Sequence, residues 1–373
     1  MQQFRVAPGG HQAAEGRRGS GHTVHNVMMQ DVTPRFPVLV TGVTGFVGRQ
    51  LARALVARGY RVRGLTRRDT GLDDLAKDGV EVVCGDLADP AALERACDRQ
   101  RLVFHAAGRV SDWGPRQDFV RVNVEGTAHL IAACVRTNVE RFVHLSSLTV
   151  LGLPNDARSI DETTPYATPL SGDHYTATKI AGEQLVRAAS AEGRLATTVV
   201  RPGAIWGRGD ELIVPRVVRL MRRRLMPVIG AGKNVLGLSH IDNLVEGIIL
   251  AGRTPRAAGQ VYHLTDGEDV TAVEALAQIA AAYGIQPPRT HVPYWAVYSL
   301  ATALETAARA TGRAHAPAIT RYGVRLVACD CRYDISKARG QLGYQPQVSF
   351  RAGVRELARA GTDVGQVLGC LTS

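Results

Sequence analysis

Short apolar runs alternate with segments of helical periodicity along most of the chain from Pro37 onward. Buried parallel strands consist of nearly continuous apolar residues, whereas the apolar positions of a helix recur every three to four residues. This alternation predicts an α/β fold with a doubly wound parallel sheet. The predicted strands are residues 37–42, 61–66, 80–84, 101–106, 140–146 and 196–201, and the predicted helices between them are 46–58, 72–77, 90–98, 116–137 and 174–192.

A strand, a glycine turn and the start of a helix follow one another at the beginning of this pattern. The spacing Gly42-x-x-Gly45-x-x-Gly48 is one variant of the dinucleotide fingerprint, in which glycines permit a tight turn and a close approach of the pyrophosphate. The helix N-terminus adds free N–H groups and partial positive charge. A glycine turn without a ligand is the alternative, because the motif alone is a weak signal. The predicted dinucleotide-binding residues here are Gly42, Thr44, Gly45, Phe46, Val47 and Gly48.

The end of the second predicted strand carries two arginines, Arg67 and Arg68. Enzymes that select NAD usually place Asp or Glu at this point to bind the ribose 2′-hydroxyl. Guanidinium groups suit a 2′-phosphate instead, so we predict NADP as the preferred cofactor and NAD as the other possibility. The alternative is that both arginines are ordinary surface residues and that Asp69 binds the ribose.

The regular alternation stops after Arg201, and a more mixed segment follows. We predict a disordered N-terminal extension over residues 1–36, which are polar and glycine-rich, and a dinucleotide-binding domain over 37–201. A smaller mixed α/β substrate-binding portion over 202–365 and a tail over 366–373 complete the division. Because ligands bind at the carboxyl ends of parallel strands, we expect the pocket between the two folded portions. The helices predicted in the second portion are 211–223, 241–252, 271–283 and 293–311.

Composition excludes several classes of protein. The 373 residues are 45% hydrophobic, but no uncharged apolar run reaches the roughly 18 residues of a membrane span. The six cysteines show no framework spacing, which indicates reduced thiols, a cytoplasmic location and no structural metal. The net charge of +11 is spread along the chain without a recognition motif, so we expect no nucleic-acid partner. A basic surface can still attract an anionic substrate or cofactor.

Small and polar residues follow the third and fourth predicted strands. An aspartate after the third strand could accept a hydrogen bond from an adenine amino group, and small residues after the fourth would let a flat ring or ribose lie against the backbone. Asn123 falls in the next helix, where asparagine is unfavourable unless it makes a specific hydrogen bond. It either braces the fourth strand or takes part in catalysis. The candidate cofactor contacts at these strand ends are Asp86, Leu87, Ala106, Ala107 and Gly108.

Tyr175 and Lys179 form the strongest chemical signal. Side chains four residues apart lie on one face of a helix, so the ammonium can approach the phenol and favour its ionised form. A phenol whose reference pKa is about 10 needs such help to exchange protons near neutrality. Chance surface neighbours are the alternative. The position of the pair, after Ser146 and Ser147 at the end of the fifth strand, favours a functional role.

Seven motifs taken together resemble the extended short-chain dehydrogenase/reductase superfamily over residues 37–365: TGVTGFVG, GDL, HAAG, NVEGT, SSLTVLG, YTATK and RPGAIWG. The resemblance implies a Rossmann-type fold, an NAD(P) cofactor and a homodimer formed through the helices near 116–137 and 174–192. It also implies that Tyr175 exchanges a proton with the substrate oxygen, that Lys179 lowers the pKa of Tyr175 and holds the nicotinamide ribose, and that Ser147 hydrogen-bonds the reacting oxygen. Asn123 would support this relay. Tyr175, Lys179 and Pro202 would also contact the cofactor.

The details resemble one branch of that superfamily. Sugar-nucleotide epimerases and dehydratases often carry an Asn where this chain has Ala204. The segments 240–244 and 333–339 are similar to the 3β-hydroxysteroid dehydrogenase-like branch, which includes 2-alkyl-3-keto acid reductases. The resemblance implies a secondary alcohol or ketone on a small hydrophobic substrate. A nucleotide-sugar epimerase or dehydratase and a non-catalytic dinucleotide-binding protein are the alternatives.

Aromatic residues suggest where such a substrate would lie. Trp206 and Tyr166 are candidate pocket residues on position alone. The apolar aromatic segment 292–300 is too short for a membrane span and is typical of a core or dimer helix. A substrate channel or a peripheral membrane contact is the alternative for that segment.

Overall fold

The computed structural model describes residues 36–68, 70, 72–153 and 159–361. Its strands are β1 (Pro37–Thr41), β2 (Arg61–Thr66), β3 (Glu81–Cys84), β4 (Leu102–His105), β5 (Arg141–Leu145), β6 (Thr197–Pro202), β7 (Ala204–Trp206), β8 (Val228–Ile229), β9 (Leu238–His240), β10 (Val261–Leu264) and β11 (His291–Val292). Its α-helices are α1 (Phe46–Ala57), α2 (Asp73–Lys77), α3 (Pro90–Cys97), α4 (Arg116–Val120), α5 (Gly126–Arg136), α6 (His174–Ala191), α7 (Val214–Arg222), α8 (Ile241–Arg253), α9 (Ala272–Tyr283), α10 (Tyr294–Ala310), α11 (Arg321–Ala328), α12 (Ser336–Leu342) and α13 (Phe350–Arg359).

Seven strands form one parallel sheet in the order β10-β6-β5-β4-β1-β2-β3. The strand β1 lies between β2 and β4, so that Thr41 is paired with both Leu65 and His105. The strands β2 and β3 lie on one side of β1, and β4, β5 and β6 lie on the other. The strand order therefore reverses at β1, and in a doubly wound sheet the ligand-binding crevice lies at the carboxyl end of the strands at that point. The predicted fold class and all six predicted strands are confirmed. The seventh strand, β10, was not predicted and pairs with β6.

The prediction of one continuous helix over residues 116–137 is wrong in the middle of that range. A π-helical turn, Arg121–Glu125, separates α4 from α5. Such turns contain one residue more per hydrogen-bonded ring than an α-helix and often occur at functional sites. Here the turn carries Asn123, whose buried side chain leaves the helix surface to bind neighbouring segments. Apolar periodicity does not reveal this local change of hydrogen bonding.

The predicted helices of the second portion are confirmed with small shifts of their ends. The largest shift is at α7, which begins at Val214 because the side chain of Asp210 accepts hydrogen bonds from the N–H groups of Leu212, Ile213 and Val214. The helices α11, α12 and α13 and the short pairs β7–β9 and β8–β11 were not predicted. These elements lie after Arg201, where the regular alternation on which the prediction rests has stopped.

Both faces of the central sheet are covered by helices. On one face Leu51 and Leu55 of α1 pack with Leu244 of α8. The other face carries α3, α5 and α6, with Leu130 and Val186 among its buried residues. The helix that follows the glycine turn is therefore packed against a helix from the second portion of the sequence.

Two further properties bear on function. No helix among the described residues has the length and apolar content that crossing a bilayer requires. The same residues contain no group of three or more His, Cys, Asp and Glu side chains that could hold a metal ion.

Candidate active site

The turn between β1 and α1 depends on two glycines. Gly42 adopts a φ of 70°, which is in the left-handed region, and a Cβ there would lie 2.8 Å from the main chain of Ala107. A Cβ on Gly48 would overlap the carbonyl oxygen of Gly42. The N–H of Gly45 donates to that same oxygen over 2.9 Å. Larger residues at these positions would push the turn away from the sheet.

The N-terminus of α1 fits an anionic group. Gly45 is the N-cap residue and provides no capping side chain, and the first turn contains no acidic residue. The first N–H groups of a helix have no partner within the helix and attract phosphate. Thr44, Phe46 and Val47 are only partly buried around this turn. The residues present therefore suit the pyrophosphate of a dinucleotide.

Arg67 and Arg68 are exposed immediately beyond β2. The Thr66 hydroxyl accepts a hydrogen bond from the N–H of Arg68 over 3.1 Å, which shapes the start of this loop. Within the described part of the chain, neither guanidinium has an ion-pair partner. Both are thus free to meet a phosphate at the edge of the glycine turn. Asp69, the alternative ribose ligand, lies outside the described residues.

The ends of β3 and β4 provide small surfaces beside this turn. The Asp86 side chain is exposed and accepts a hydrogen bond from the N–H of Ala88 over 2.9 Å, while Leu87 is buried. Ala106 and Ala107 are half-buried and Gly108 is exposed. A Cβ on Gly108 would lie 3.4 Å from Asn123 Oδ1 and 3.9 Å from Lys179 Nζ. The end of β4 therefore approaches the predicted catalytic residues.

A buried hydrogen-bonded chain connects these strand ends. Thr41 Oγ1 accepts from the N–H of Ala107 and lies 2.8 Å from His105 Nδ1. His105 Nε2 lies 3.0 Å from Thr127 Oγ1, which donates to the carbonyl oxygen of Asn123. Because Thr127 Oγ1 already donates its proton, His105 Nε2 must be the donor in that contact, and a neutral imidazole then accepts through Nδ1 from Thr41. Burial, with the nearby Lys179 charge, lowers the pKa of His105 to about 3, which agrees with that state.

Asn123 binds two segments through its side-chain amide. Its Oδ1 accepts from the Arg109 N–H over 2.8 Å, and its Nδ2 donates to Arg109 O and to Thr178 Oγ1, each over 3.1 Å. These bonds hold the loop after β4 against α6. The geometry fits the bracing role, and it positions the helix that carries Tyr175 and Lys179.

Ser147 follows β5 and caps a 3-10 turn, Leu148–Leu151. Its Oγ accepts hydrogen bonds from the N–H and the hydroxyl of Thr149, over 3.3 Å and 3.0 Å. Because both contacts donate to Ser147, its own hydroxyl proton remains available for another oxygen. The sequence analysis used Thr149 only to align the motif and did not assign it this role.

Tyr175 is buried in the first turn of α6. Burial raises the pKa of its phenol to about 12, and a hydrogen bond with Ser147 acts in the opposite direction. The expected net lowering of this pKa is therefore not what the structure shows. The ring of Tyr322 packs edge-on against the Tyr175 ring, with centroids 6.2 Å apart. That contact comes from α11, which the sequence did not reveal.

Lys179 lies one turn further along α6. Its Nζ donates to the main-chain oxygen of Leu145 over 2.6 Å. Burial lowers the pKa of Lys179 to about 8, and the charge of Glu183 opposes that shift. The ammonium is thus held at the end of β5, two residues before Ser147.

Glu183 is the centre of a buried network on α6. It forms an ion pair with Arg201 of β6 over 2.6 Å, and both side chains are almost fully buried. Ser146 Oγ donates to Glu183 Oε2 over 2.5 Å, and the Tyr166 hydroxyl donates to Oε1 over 3.0 Å. Of the two adjacent serines, Ser146 is therefore engaged in the core and Ser147 is the one directed at Tyr175.

Comparison with known families agrees with this geometry. The model of the NAD dependent epimerase/dehydratase family matches residues 38–265, which is more than half of the chain. The chain belongs to this family. The resemblance to extended short-chain dehydrogenases/reductases is confirmed, and the protein is an NAD-dependent oxidoreductase of that type.

Proteins similar in sequence to this chain include reductases and dehydrogenases. The 2-alkyl-3-oxoalkanoate reductase of Shewanella oneidensis is 32% identical over 330 residues, which cover 85% of this chain and 84% of that protein. The 3beta-hydroxysteroid-dehydrogenase/decarboxylase isoform 1 of Arabidopsis thaliana is 31% identical over 354 residues, covering 88% and 80%. The crystal structure of gox2253 is 29% identical with a TM-score of 0.70, covering 88% of this chain and 99% of that one.

A cavity of about 70 Å³ lies against Tyr175 in this epimerase/dehydratase-family enzyme. Ligand pockets commonly measure roughly 300–1,000 Å³, so only a short part of a long substrate fits here in this conformation. The lining side chains are of mixed character, with aromatic, apolar, polar and charged groups. They include Trp113, Phe119, Leu153, Leu170 and Tyr322, together with Asp112, Asp173, Glu305, Arg309, Arg321 and Arg325.

The two aromatic residues that we predicted to line the pocket of this enzyme lie elsewhere. Tyr166 is bound to Glu183, as described above. Trp206 is fully buried, donates from Nε1 to Asp266 over 3.0 Å and packs edge-on against His240. Asp266 also accepts from Asn243 over 2.8 Å, and burial raises its pKa to about 6. The segment 240–244 therefore serves the core of the second portion.

Proposed function

We propose that this enzyme interconverts a secondary alcohol and a ketone on a hydrophobic substrate, with Ser147, Tyr175 and Lys179 as its acid–base machinery. The observation that carries the proposal is the position of Tyr175: its side chain lines the cavity, and Ser147 lies close enough to lower the pKa of its phenol against the effect of burial. A phenol beside a second hydroxyl can bind the oxygen of a carbonyl group from two directions. Such paired contacts stabilise the charge that develops on that oxygen.

The protonation states favour reduction of a ketone. With a pKa of about 12, the Tyr175 phenol keeps its proton at neutral pH and can give it to the substrate oxygen. The hydroxyl proton of Ser147, which is directed at Tyr175 here, would form a second hydrogen bond to that oxygen once a ketone is bound. Lys179, charged below its pKa of about 8, stabilises the phenolate that remains. A bound nicotinamide supplies the hydride in this direction.

The cofactor would be held by the glycine turn and the surrounding strand ends. The uncapped start of α1 suits the pyrophosphate, and the small residues Ala106, Ala107 and Gly108 leave room near Lys179 for a ribose. The exposed guanidinium groups of Arg67 and Arg68 support a preference for NADP over NAD, because they can pair with a 2′-phosphate. Asp86 and Pro202 are proposed contacts at the ends of β3 and β6.

The substrate is proposed from the cavity and the relatives together. Phe119, Leu153 and Tyr322 give the cavity an apolar wall beside the phenol. The printed names of the relatives refer to an oxoalkanoate and to a 3beta-hydroxysteroid. Both compounds combine an oxygen function on a secondary carbon with an apolar body, which suits this wall.

The test follows the absorbance of reduced nicotinamide with purified protein. NADPH and NADH are each combined with 2-alkyl-3-oxo acids, and NADP and NAD with 3β-hydroxysteroids. We expect turnover with at least one of these substrate classes. Absence of turnover in every combination, while the cofactor still binds, would contradict the proposal. Competition by a uridine diphosphate sugar for the substrate site would instead support a sugar-nucleotide epimerase.

A further inference from the structure

Three arginines line the cavity beside the phenol: Arg309, Arg321 and Arg325. Glu305 neutralises the first two. Its Oε2 lies 2.9 Å from Arg321 Nη2 and 3.5 Å from Arg309 Nη2. Arg321 also donates to the main-chain oxygen of Ser171 over 2.9 Å. Both guanidinium groups therefore have fixed partners inside the protein.

The other two carboxylates at the cavity serve other donors. Thr320 Oγ1 donates to Asp112 Oδ2 over 2.6 Å. Asp173 Oδ1 accepts from the N–H of Thr176 over 2.9 Å and so caps α6. Neither carboxylate pairs with Arg325. The acidic groups of the cavity thus leave one arginine without a counter-charge.

Arg325 is that arginine. In the part of the chain that the structure describes, its guanidinium contacts no carboxylate, and its Nη2 donates to the main-chain oxygen of Leu153 over 2.9 Å. It also lies beside the thiol of Cys329. Burial raises the pKa of that thiol, and the charge of Arg325 acts in the opposite direction. A guanidinium has five N–H donors, so several remain for a ligand. A half-buried cation of this kind is stabilised when an anion joins it.

The helix α11 brings Arg325 close to the reacting centre. Tyr322 and Arg325 are three residues apart, which places them on one face of the helix. Tyr322 packs against Tyr175, and all three side chains line the same cavity. Because that cavity measures only about 70 Å³, a ligand part that fits inside it and reaches both Tyr175 and Arg325 carries its anionic group near its carbonyl oxygen.

We propose that Arg325 binds the carboxylate of an acidic substrate whose ketone lies at Tyr175. The enzyme then selects a free 3-oxo acid, in which the two groups are separated by one carbon, over neutral ketones and sterols. A carboxylate can accept two parallel hydrogen bonds from a guanidinium, which fixes orientation as well as charge. This assignment of the substrate class rests on the proposed function only for the position of the carbonyl.

The test measures binding without turnover. Isothermal titration calorimetry compares dodecanoate with methyl dodecanoate, two ligands that differ in the charge of one group. We expect the wild-type enzyme to bind the acid about 10- to 100-fold more tightly than the ester. Arg325→Gln keeps an N–H donor for Leu153 but loses the charge. It should abolish the preference for the acid and leave the affinity for the ester unchanged.

Arg309→Gln is the matched control, because Arg309 already has Glu305 as its partner. We expect this variant to retain the preference for the acid. Three results would each overturn the assignment: equal binding of acid and ester by the wild-type enzyme, a preference that survives in Arg325→Gln, or a preference lost only in Arg309→Gln. Equal loss of acid and ester binding in Arg325→Gln would show that the arginine merely supports the fold.

The titration, combined with the absorbance assay of hydride transfer, separates this inference from the proposed function. Preference for the acid without hydride transfer to 3-oxododecanoate or to any other ketone or alcohol of the activity test would reject the proposed function and keep the anion site. Hydride transfer to 3-oxododecanoate without a preference for the acid would reject the anion site alone.

Discussion

The ammonium of Lys179 donates a hydrogen bond over 2.6 Å to the main-chain oxygen of Leu145, the last residue of β5. The side chain is therefore fixed to the sheet rather than free to move with solvent. Because this position is buried, it disfavours the charged form of the lysine. The charge of Lys179 thus depends on pH within the range in which enzymes are assayed.

Loss of the Lys179 charge should lower the activity of the enzyme on the alkaline side of its pH profile. The pKa of Lys179 is lowered to about 8, so the ammonium is present below that pH and is lost as the pH rises through it. We expect kcat/KM for ketone reduction to fall about tenfold per pH unit above the pKa. Steady-state rates between about pH 6 and about pH 10 check this. In Lys179→Arg the guanidinium does not titrate, so the fall should be absent. A wild-type profile that stays level over the whole range would contradict the prediction.

Replacing Tyr175 by Phe should remove the proton donor while preserving the packing against Tyr322. We expect the turnover number to fall about 100- to 10,000-fold, the usual range for loss of a general acid. The affinity for the cofactor, measured by fluorescence titration, should be nearly unchanged. Tyr283→Phe, at the end of α9, is the control and should keep full activity. Comparable rates for Tyr175→Phe and the wild-type enzyme would exclude the mechanism.

Replacing Arg67 by Asp should change the choice of cofactor. A carboxylate would repel the 2′-phosphate, so we expect NADPH to bind about tenfold more weakly while NADH binding changes little. Dissociation constants for both nucleotides, measured side by side, give the ratio. Arg61→Asp, at the opposite end of β2, controls for the loss of surface charge. If the ratio stays the same in Arg67→Asp, the 2′-phosphate site is misplaced and Asp69 becomes the candidate ligand.

Removing one partner of the buried pair of Glu183 and Arg201 should destabilise the fold strongly. Glu183→Gln leaves the Arg201 charge buried without a counter-charge, and we expect a loss of about 3–5 kcal/mol in the free energy of unfolding. Urea denaturation followed by circular dichroism measures this. Glu192→Gln removes an exposed partner of Arg194 at the end of the same helix and should cost only about 0–1 kcal/mol. Similar losses for the two variants would refute the role of the buried pair.

The sequence predicted those parts of the fold that repeat a local pattern. The six strands that were predicted are short segments rich in β-forming residues between helical segments, and the turn at Gly42 has its own spacing signal. The strand β10 lies beyond Arg201, where the regular alternation of strands and helices has stopped, and nothing in its local sequence indicates that it pairs with β6.

From residue spacing alone, the candidate site could be predicted only where one segment holds both partners, whereas Ser147 and Asn123 were assigned to it through the family resemblance. Tyr175 and Lys179 share a helix, so their proximity follows from helical geometry. The placement of Arg325 depends on contacts between distant segments, such as its hydrogen bond to Leu153, 172 residues earlier in the chain. The pKa of Tyr175 likewise depends on burial by the surrounding fold. Neither property follows from residue spacing.

The shared core of α1 and α8 has a consequence for synthesis on the ribosome. The glycine turn emerges early, but Leu51 and Leu55 remain without part of their packing until Leu244 has been translated. The edge of β6 stays open still longer, until β10 pairs with it. The nascent chain therefore cannot complete its nucleotide-binding sheet before Leu264 has been translated, and until then it presents an unpaired strand edge to chaperones.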